Sequence, residues 1–392
     1  MALEVFLSMG KQKVISVLIL ILGLNARADV VLTMGGDVNF NRNRQVVDPN
    51  GVLYGDTLAR WNSFTSQLKP LINGDINFAN IETVVSSTND LKDEDKKFAF
   101  KSHPNAVRHL IELGFNLFNV SNNHTYDYGL PGMQQTVYEM DKLKAEFPQM
   151  VYDGVGLRKQ VLEPKVFDVN GIRFAFASMS IGEPRFRATN ENVGMLLIRD
   201  DRDYKELVTA FARTKADYKI LSIHFGIEGK PTLEDGQKSR FEYAIQYGGV
   251  NLIIGHHPHV IRPIEKWGDR LIYYSLGNYL MVGSADITKK SDPNTDWGMF
   301  SRLYLERDPS TGKVKVDAVE VIPLTNTHNR TAPMPADKAA ARIGNLNQLS
   351  AMQLQNYAMR LQLDPFTGRG IFCDSQMTSI RAKTMCAGQF SK

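Results

Sequence analysis

The chain has 392 residues, of which 43% are hydrophobic and 22% are charged. This length and composition are typical of a globular protein with one large domain or two ordinary ones, and they exclude a low-complexity chain. The formal net charge is only +4, and it falls to +2 without residues 1–28. So small a surplus argues against a nucleic-acid-binding groove and says little about binding an anionic polymer.

The first 28 residues predict a signal peptide. Lys11 and Lys13 precede Val14–Leu24, a run of 11 residues without charge, and residues 26–28 (Ala-Arg-Ala) resemble a cleavage site. The run is too short to span a bilayer and has the length of a signal peptide's apolar region. We therefore expect an exported, periplasmic protein with no integral membrane domain after cleavage. An uncleaved membrane anchor is the alternative.

Beyond this segment, short apolar runs alternate with longer amphipathic stretches, which predicts an α/β fold in one large domain over residues 29–325. The predicted strands are Val30–Met34, Ile76–Ala79, Leu117–Val120, Arg173–Met179, Tyr218–His224, Leu252–Ile254 and Leu271–Tyr274. The predicted helices lie near 56–72, 104–113, 130–145, 201–213 and 235–247. Gly312–Ile322 alternates apolar and polar residues, which predicts a half-exposed antiparallel strand.

The pattern changes to helix after Pro333, with helices predicted at 336–344 and 347–362. The only two cysteines, Cys373 and Cys386, follow in the tail. In an oxidising compartment we expect them to form one disulfide. Residues 326–392 are therefore predicted to be a small helical C-terminal appendage.

Three histidines and one charged stretch are predicted to have no part in the chemistry. His103 precedes a predicted helix, His109 lies inside that helix, and His328 lies in a polar loop, so all three are interpreted as structural. The stretch Asp90–Lys97 is interpreted as a solvated loop.

Polar clusters follow six of the predicted strands, at the point where each strand ends. They are Gly36-Asp37-Val38-Asn39, Asn80-Ile81-Glu82, Ser121-Asn122-Asn123-His124 with Asp127, His224-Phe225-Gly226-Ile227-Glu228, Gly255-His256-His257-Pro258-His259, and Ser275-Leu276-Gly277-Asn278. In open α/β sheets, ligand sites form outside the carboxyl ends of the strands. We therefore expect the six clusters to converge on one pocket.

Three of the chain's eight histidines lie within residues 256–259. Gly255 permits a sharp bend, and Pro258 stiffens the loop, so His257 and His259 are able to point into one pocket. Alone, this stretch is also compatible with polar surface. Each of the other clusters, taken singly, is as well explained by a turn or a helix cap.

The residue types in these clusters indicate a metal site. Imidazole, carboxylate and amide oxygen without thiolate suit divalent transition metals such as Mn, Fe or Zn. A carboxylate is able to bridge two ions about 3.5–4 Å apart, and such a centre supplies hydroxide and binds phosphoryl oxygens. We therefore predict one or two divalent transition-metal ions as the cofactor.

The order of these clusters, from Val31 to about Leu280, resembles the bacterial capsule synthesis protein family CapA, also called the PgsA or poly-γ-glutamate capsule family. That family is similar to calcineurin-like metallophosphoesterases. The resemblance implies a four-layer α/β/β/α sandwich of the metallo-dependent phosphatase type. The resemblance does not extend with the same strength beyond about residue 330.

The resemblance also implies which residues bind metal. Asp37 would bind the first ion, and Glu82 would bridge the two. Asn39 and Glu82 stand where phosphoesterases have histidine and aspartate, a departure that could weaken the first ion or leave a mononuclear site. The full set of implied ligands is Asp37, Asn39, Glu82, Asn123, His224, His257 and His259.

Other residues are predicted to contact the reacting groups. His124 would act as a general acid or oxyanion stabiliser, oriented by Asp127. Arg42 follows the first cluster and is suited to bind an anionic group, although exposed arginines are commonly only solvated. The residues predicted to bind substrate are Arg42, Asn80, Glu228 and Asn278.

Three functions follow from these observations. The first is an exported, metal-dependent hydrolase of phosphoesterase type that serves synthesis or processing of a polymer such as poly-γ-glutamate. The second is a non-catalytic component that binds the polymer and assists its export. The third is a metal-dependent amide hydrolase that acts on the polymer. The expected partners are an anionic polymer or phosphoester substrate and capsule-synthesis membrane proteins, and no nucleic acid.

Overall fold

The computed structural model describes residues 29–282 and 297–388, so the predicted signal segment lies outside the described residues. The strands are β1 (Asp29–Asn39), β2 (Gly51–Tyr54), β3 (Thr57–Arg60), β4 (Ile76–Ile81), β5 (Val84–Val85), β6 (Lys101–Ser102), β7 (Leu117–Asn119), β8 (Val151–Asp153), β9 (Lys165–Val169), β10 (Ile172–Ser180), β11 (Tyr218–His224), β12 (Leu252–His256), β13 (Ile264–Trp267), β14 (Arg270–Tyr273), β15 (Asn278–Met281), β16 (Gly298–Arg307), β17 (Val314–Thr325), β18 (Ala332–Pro333), β19 (Gln362–Leu363) and β20 (Gly370–Cys373). The α-helices are α1 (Trp61–Thr65), α2 (Pro104–Leu113), α3 (Gly129–Glu146), α4 (Arg158–Leu162), α5 (Asp201–Arg213), α6 (Asp235–Gly248), α7 (Ala336–Leu354) and α8 (Ile380–Ala387).

The strands form two principal sheets in a mixed α/β arrangement. The larger has the order β19-β20-β17-β16-β1-β4-β7-β8, with β15 also paired to β1 and β18 to β17. In it, β1 runs parallel to β4 and β15 but antiparallel to β16. The smaller sheet has the order β13-β14-β12-β11-β10-β9, and its strands β10, β11, β12 and β14 are parallel. The carboxyl ends of these parallel strands carry the polar clusters.

Three apolar clusters form the core. The first draws side chains from both sheets, and in it the rings of Phe78 and Phe176 lie 6.0 Å apart. The second packs α2 and α3 against the larger sheet, and the third packs α5 and α6 against the smaller one. In β4, Phe78 belongs to the first cluster and Ala79 to the second, as the alternation of side chains along a strand requires. Each sheet is therefore apolar on both faces, which explains why its strands read as continuous apolar runs.

The predicted α/β alternation is confirmed. Each of the seven predicted strands is present, as β1, β4, β7, β10, β11, β12 and β14, and four of the five predicted helices are present as α2, α3, α5 and α6. The span near 56–72, predicted to be one helix, is helical only in part, as α1 and a short 3-10 turn at Lys69–Leu71. Its first residues form β3, which pairs with β2 across a two-residue turn at Gly55 and Asp56. Gly55 has a φ of +60°, and such a glycine turn favours a hairpin over a helix.

The C-terminal region differs from its prediction in three respects. The strand predicted at 312–322 is present as β17 and is antiparallel, but it is almost entirely buried because α7 and α8 pack against it. A single helix, α7, replaces the two predicted helices. The segment after residue 325 also adds β18, β19 and β20 to the larger sheet, so it is not purely helical.

The disulfide predicted between Cys373 and Cys386 is present and joins β20 to α8. Within residues 29–282 and 297–388, no helix combines the length and the apolarity that crossing a membrane requires.

Candidate metal centre

Asp37 reaches the centre because β1 runs unusually close to its neighbours. In the registers of β4 and β15, Asp37 pairs with Asn80 and Asn278. A Cβ atom on Gly36 would lie 1.9 Å from the carbonyl oxygen of Gly277, so only glycine permits this approach. The fully buried carboxylate of Asp37 therefore lies near the carboxyl ends of β1 and β4 and beside the first residue of β15.

Two asparagines hold side chains of the centre in place. Asn80 donates from Nδ2 to Oδ1 of Asp37 at 2.8 Å, and Oδ1 of Asn278 lies 2.8 Å from Nδ1 of His259. Both asparagines are buried. They therefore orient a carboxylate and an imidazole, and their predicted contact with substrate stays a prediction.

A first group of candidate metal-binding atoms combines residues that follow strands of both sheets. β11 ends at His224, whose Nε2 lies 3.3 Å from Oε1 of Glu82 and 3.2 Å from Nδ1 of His257. Asn123 adds an amide oxygen 2.7 Å from the same Nε2 atom. One atom each from Glu82, His224 and His257 fall within 4.8 Å of one another. These residues lie up to 175 positions apart in the sequence, from 82 to 257.

Glu82 also belongs to a second group, with Asp37 and His259. His259 places Nδ1 3.3 Å from Oδ2 of Asp37 and Nε2 3.5 Å from Oε1 of Glu82. Both carboxylate oxygens of Glu82 and Oδ2 of Asp37 are buried without a hydrogen-bond partner in the described part of the chain. Buried acceptors left in this way are costly unless a cation satisfies them. The donors present fit one or two divalent transition-metal ions, with Glu82 common to both positions.

The histidine loop is held in a strained backbone conformation. His257 has a φ of 95° and His259 a φ of 55°, a region that residues other than glycine rarely adopt. Each such residue costs of order 1–3 kcal/mol and persists only where its surroundings hold it. The strain coincides with the two imidazoles that face the carboxylates.

The pKa values of the two carboxyl groups shift in opposite directions, although burial raises both. Burial raises the pKa of Asp37, but the nearby imidazoles of His256 and His259 outweigh burial and hold that pKa well below its usual range. Burial and then the charge of Asp37 raise the pKa of Glu82 well above its usual value. Of these two carboxyl groups, Glu82 is therefore the one that needs a nearby cation in order to ionise.

The pKa values of the three imidazoles also shift in different directions. Burial and then the charge of His257 lower the pKa of His224 well below its ordinary value. Burial and then the charge of His259 lower the pKa of His257 to about 3. For His259, burial acts downward but the charges of Glu82 and Asp37 prevail and raise its pKa to about 10. Burial thus governs the pKa values of His224 and His257, whereas the neighbouring acidic groups govern that of His259.

His124 and Asp127 form a pair beside the centre. Nδ1 of His124 lies 2.7 Å from Oδ2 of Asp127, and its Nε2 lies 4.0 Å from Oε1 of Glu82. The backbone N–H of Phe100 also donates to Oδ2 of Asp127, at 2.6 Å. The ring therefore turns its free nitrogen toward the carboxylate that the two metal positions share.

The stretch 90–97 is wrongly interpreted as a loop that is only solvated. Lys96, with its side chain 22% exposed, lies 2.5 Å from Oδ1 of Asp127 and also donates to the backbone oxygen of Asn123. The backbone N–H of Glu94 donates to the carbonyl oxygen of Asp127 at 2.8 Å. A charged run of sequence gives no signal of such contacts, because they depend on where the loop folds back.

Three predicted residues lie apart from the two groups of donors. The amide of Asn39 donates to the carbonyl oxygen of Asn41 at 2.6 Å, and its oxygen accepts from Ser102 at 3.2 Å. Arg42 is exposed, with its guanidinium over the ring of Tyr54. Glu228 is exposed at the rim of the centre, where its charge reaches Glu82 and His259.

Other histidines have clear structural surroundings. His103 caps α2 by accepting from the backbone N–H of Asn105, and Nε2 of His109 lies 2.8 Å from the hydroxyl of Thr65. His256, to which the sequence assigned no role, lies with Nδ1 3.1 Å from Oδ1 of Asp37. Its ring stacks on Phe78 at 5.5 Å. His256 thus orients Asp37 from behind the centre.

Comparison with known proteins gives a family and several relatives. The family profile described as bacterial capsule synthesis protein PGA_cap matches residues 31–282. The chain is 28% identical over 242 residues to the PGA biosynthesis protein CapA of Bacillus subtilis (strain 168), covering 62% of this chain and 60% of that protein. It is 27% identical over 277 residues to the capsule biosynthesis protein CapA of Bacillus anthracis, covering 67% of this chain and 62% of that protein.

The chain thus spans less than two thirds of the length of these two relatives. Among solved structures, a putative 5′-nucleotidase from Staphylococcus aureus matches with a TM-score of 0.40 and 13% identity, covering 82% of this chain and 58% of that one.

Proposed function

Because the chain belongs to the bacterial capsule synthesis protein family, we propose that it takes part in making or processing a capsule polymer such as poly-γ-glutamate, as a metal-dependent hydrolase of phosphoester bonds. The names of its relatives support the polymer, since one is a PGA biosynthesis protein and another a capsule biosynthesis protein. The arrangement of Asp37, Glu82 and the histidines supports the metal. The proposed polymer and the proposed metal-dependent hydrolysis therefore rest on separate observations: the names of the relatives support the first, and the arrangement of the side chains supports the second.

The single observation that carries the hydrolase proposal is the position of Glu82. Its carboxylate is fully buried, lacks a hydrogen-bond partner in the described chain and belongs to both groups of donors. A carboxylate shared in this way is what a two-metal hydrolytic centre uses. When bound, the metal would supply an activated water and bind phosphoryl oxygens.

Six residues would hold metal in this proposal. Glu82 would lie between the two positions, and Asn123 would join the position that includes His224. Asn39 would first have to leave its bonds to Asn41 and Ser102, so it is not included among the proposed ligands. The six are Asp37, Glu82, Asn123, His224, His257 and His259.

The other predicted site residues would position the substrate and move a proton. Asp127 holds Nδ1 of His124, so Nε2 is left to exchange a proton with the leaving oxygen. Glu228 and Arg42 lie at exposed positions, where they are able to meet the substrate outside the buried donors. Asn80 and Asn278 keep Asp37 and His259 in place.

We also propose the architecture and location that such an enzyme would have. The three apolar clusters support a four-layer α/β/β/α sandwich of the metallo-dependent phosphatase type over residues 29–325. Residues 326–392 would then be an appendage that also extends the larger sheet. Export to the periplasm would require residues 1–28 to act as a signal peptide, and membrane proteins of capsule synthesis would be partners there.

The test is a metal analysis combined with two assays on protein that begins at Asp29. We expect one or two Mn, Fe or Zn ions per chain and metal-dependent cleavage of a phosphodiester such as bis-p-nitrophenyl phosphate. Asp37→Asn should lose both properties, and the exposed Asp168→Asn should keep both. Shortening of poly-γ-glutamate without phosphodiester cleavage would favour the amide-hydrolase alternative. Bound metal with neither activity would favour a polymer-binding component. Absence of bound metal would refute both the phosphoester-hydrolase and the amide-hydrolase hypotheses.

A further inference from the structure

Arg262 is a fully buried arginine that follows the histidine loop, and all five of its N–H donors are engaged. Nε donates to the carbonyl oxygen of Lys230 at 2.9 Å, and Nη2 donates to that of Ile227 at 3.0 Å. Nη1 and Nη2 contact the two carboxylate oxygens of Glu234 at 2.7 and 2.8 Å, and Nη1 also contacts Gln237. A buried guanidinium satisfied this fully fixes the groups around it.

Apart from Gln237 in α6, the groups that it fixes belong to one loop, residues 226–234, which lies against the histidine loop. The backbone N–H of Gly229 donates to the carbonyl oxygen of Pro258 at 2.8 Å. Gly226 has a φ of +141°, and a Cβ there would lie 2.9 Å from Cγ of Pro258 and 2.9 Å from Nη1 of Arg262. Loop 226–234 therefore packs directly on Pro258, with Arg262 as its anchor.

Pro258 lies between the two strained histidines. His257 and His259 keep positive φ angles on either side of it, and such strain persists only when neighbouring groups prevent relaxation. Loop 226–234 supplies that restraint, because its hydrogen bond and its packing both act on Pro258. Arg262 also holds the carbonyl oxygens of Ile227 and Lys230, and so fixes the backbone on both sides of Glu228.

We propose that Arg262, through its ion pair with Glu234, is a positioning residue that preorganises His257 and His259 for a divalent metal ion. The proposal rests on the proposed function only in needing a metal at this centre, and it does not depend on hydrolysis. Residues that orient metal ligands without touching the ion typically change metal affinity by about 10–100-fold when they are replaced. Metal affinity is therefore the quantity that Arg262 should control.

The experiment replaces Glu234, whose side chain is 27% exposed, because Arg262→Met removes a buried charge and endangers folding. Metal-stripped protein is titrated with Mn²⁺ and, separately, with Zn²⁺ in a calorimeter. We expect Glu234→Ala to weaken binding of both ions by about tenfold or more. Glu234→Gln, which keeps one acceptor oxygen for Arg262, should lose less metal affinity. The matched control is Glu242→Ala, which removes the surface partner of Lys238 on α6 and should leave affinity unchanged.

Urea unfolding of the metal-stripped variants separates positioning from general damage. Glu234→Ala leaves the buried Arg262 without its carboxylate partner, so some loss of stability is expected. The proposal requires the affinity of this variant to fall under conditions where its unfolding curve shows it to be fully folded. Parent-like affinity in Glu234→Ala would overturn the positioning role and leave the hydrolase proposal standing. An equal loss in Glu234→Ala and Glu242→Ala would also overturn it. Failure of the parent protein to bind either ion would overturn the metal centre itself.

Discussion

Nε2 of His259 lies 3.5 Å from Oε1 of Glu82. The pKa of His259 is raised to about 10, because the charges of Glu82 and Asp37 outweigh burial. The pKa of Glu82 is itself raised well above its usual value by burial and then by the charge of Asp37. At neutral pH the pair therefore holds at least one proton at the position that a metal ion would take.

Metal binding at neutral pH should release at least one proton per chain, because a ligating imidazole must be neutral and a ligating carboxyl group ionised. Apparent affinity for Zn²⁺ should rise about tenfold per pH unit between pH 6 and pH 8, where His259 stays protonated without metal. Calorimetric titrations in buffers of different ionisation enthalpy measure the protons released. An affinity that is flat across this range, with no proton release, would contradict the assignment of His259 as a ligand.

Glu82→Gln should stabilise the metal-free protein at pH 8 and weaken metal binding. Burial and the nearby charge of Asp37 disfavour the ionised form of Glu82, so the folded parent loses stability as pH rises through the raised pKa. Glutamine resembles the protonated form, so the variant avoids that loss, and the difference should shrink toward pH 5. Urea unfolding at both pH values tests this, with the exposed Glu112→Gln as control. A variant less stable than the parent at pH 8 would show that Glu82 is held ionised.

His257→Ala and His259→Ala should each lower metal content by removing one imidazole from a different group of donors. The two groups of donors share Glu82, so metal binding at the other proposed position should also weaken. His109→Ala is the matched control, since that imidazole contacts Thr65 and not the centre. Mass spectrometry of the metal in dialysed protein gives the stoichiometry. Equal metal in all three variants would place the metal elsewhere.

Asp153→Asn should change how stability depends on pH. Burial raises the pKa of Asp153 to about 6, against the opposing effect of Lys165. The folded parent therefore favours the protonated form, and stability present below pH 4 is lost as pH rises through about 6. Relative to the variant, the parent should lose about 3 kcal/mol of unfolding free energy between pH 4 and pH 8. Urea unfolding across this range measures the difference.

Asp168→Asn, at an exposed position in the neighbouring strand β9, serves as the control for Asp153. A difference between Asp153→Asn and the parent that is constant with pH would mean that Asp153 titrates normally.

The sequence by itself determined eight of the strands, their order along the chain and the side chains at their ends. Apolar runs such as Leu252–Ile254 and the glycine that follows are local signals, so they are readable without the fold. They led to the family, to the α/β class and to the disulfide between Cys373 and Cys386. The sequence erred at 57–60, where a two-residue glycine turn outweighed an apparently helical spacing and β3 replaces the start of the predicted helix.

Only the tertiary structure decided which atoms meet. His224 and His257 touch because β11 and β12 are adjacent and in register, and a slip of one residue would turn these side chains to the other face. Lys96 reaches Asp127, and Arg262 holds the loop against Pro258, through contacts that no local pattern signals. Composition and spacing supply candidates for the donor set, whereas sheet register and loop packing fix the distances on which coordination depends.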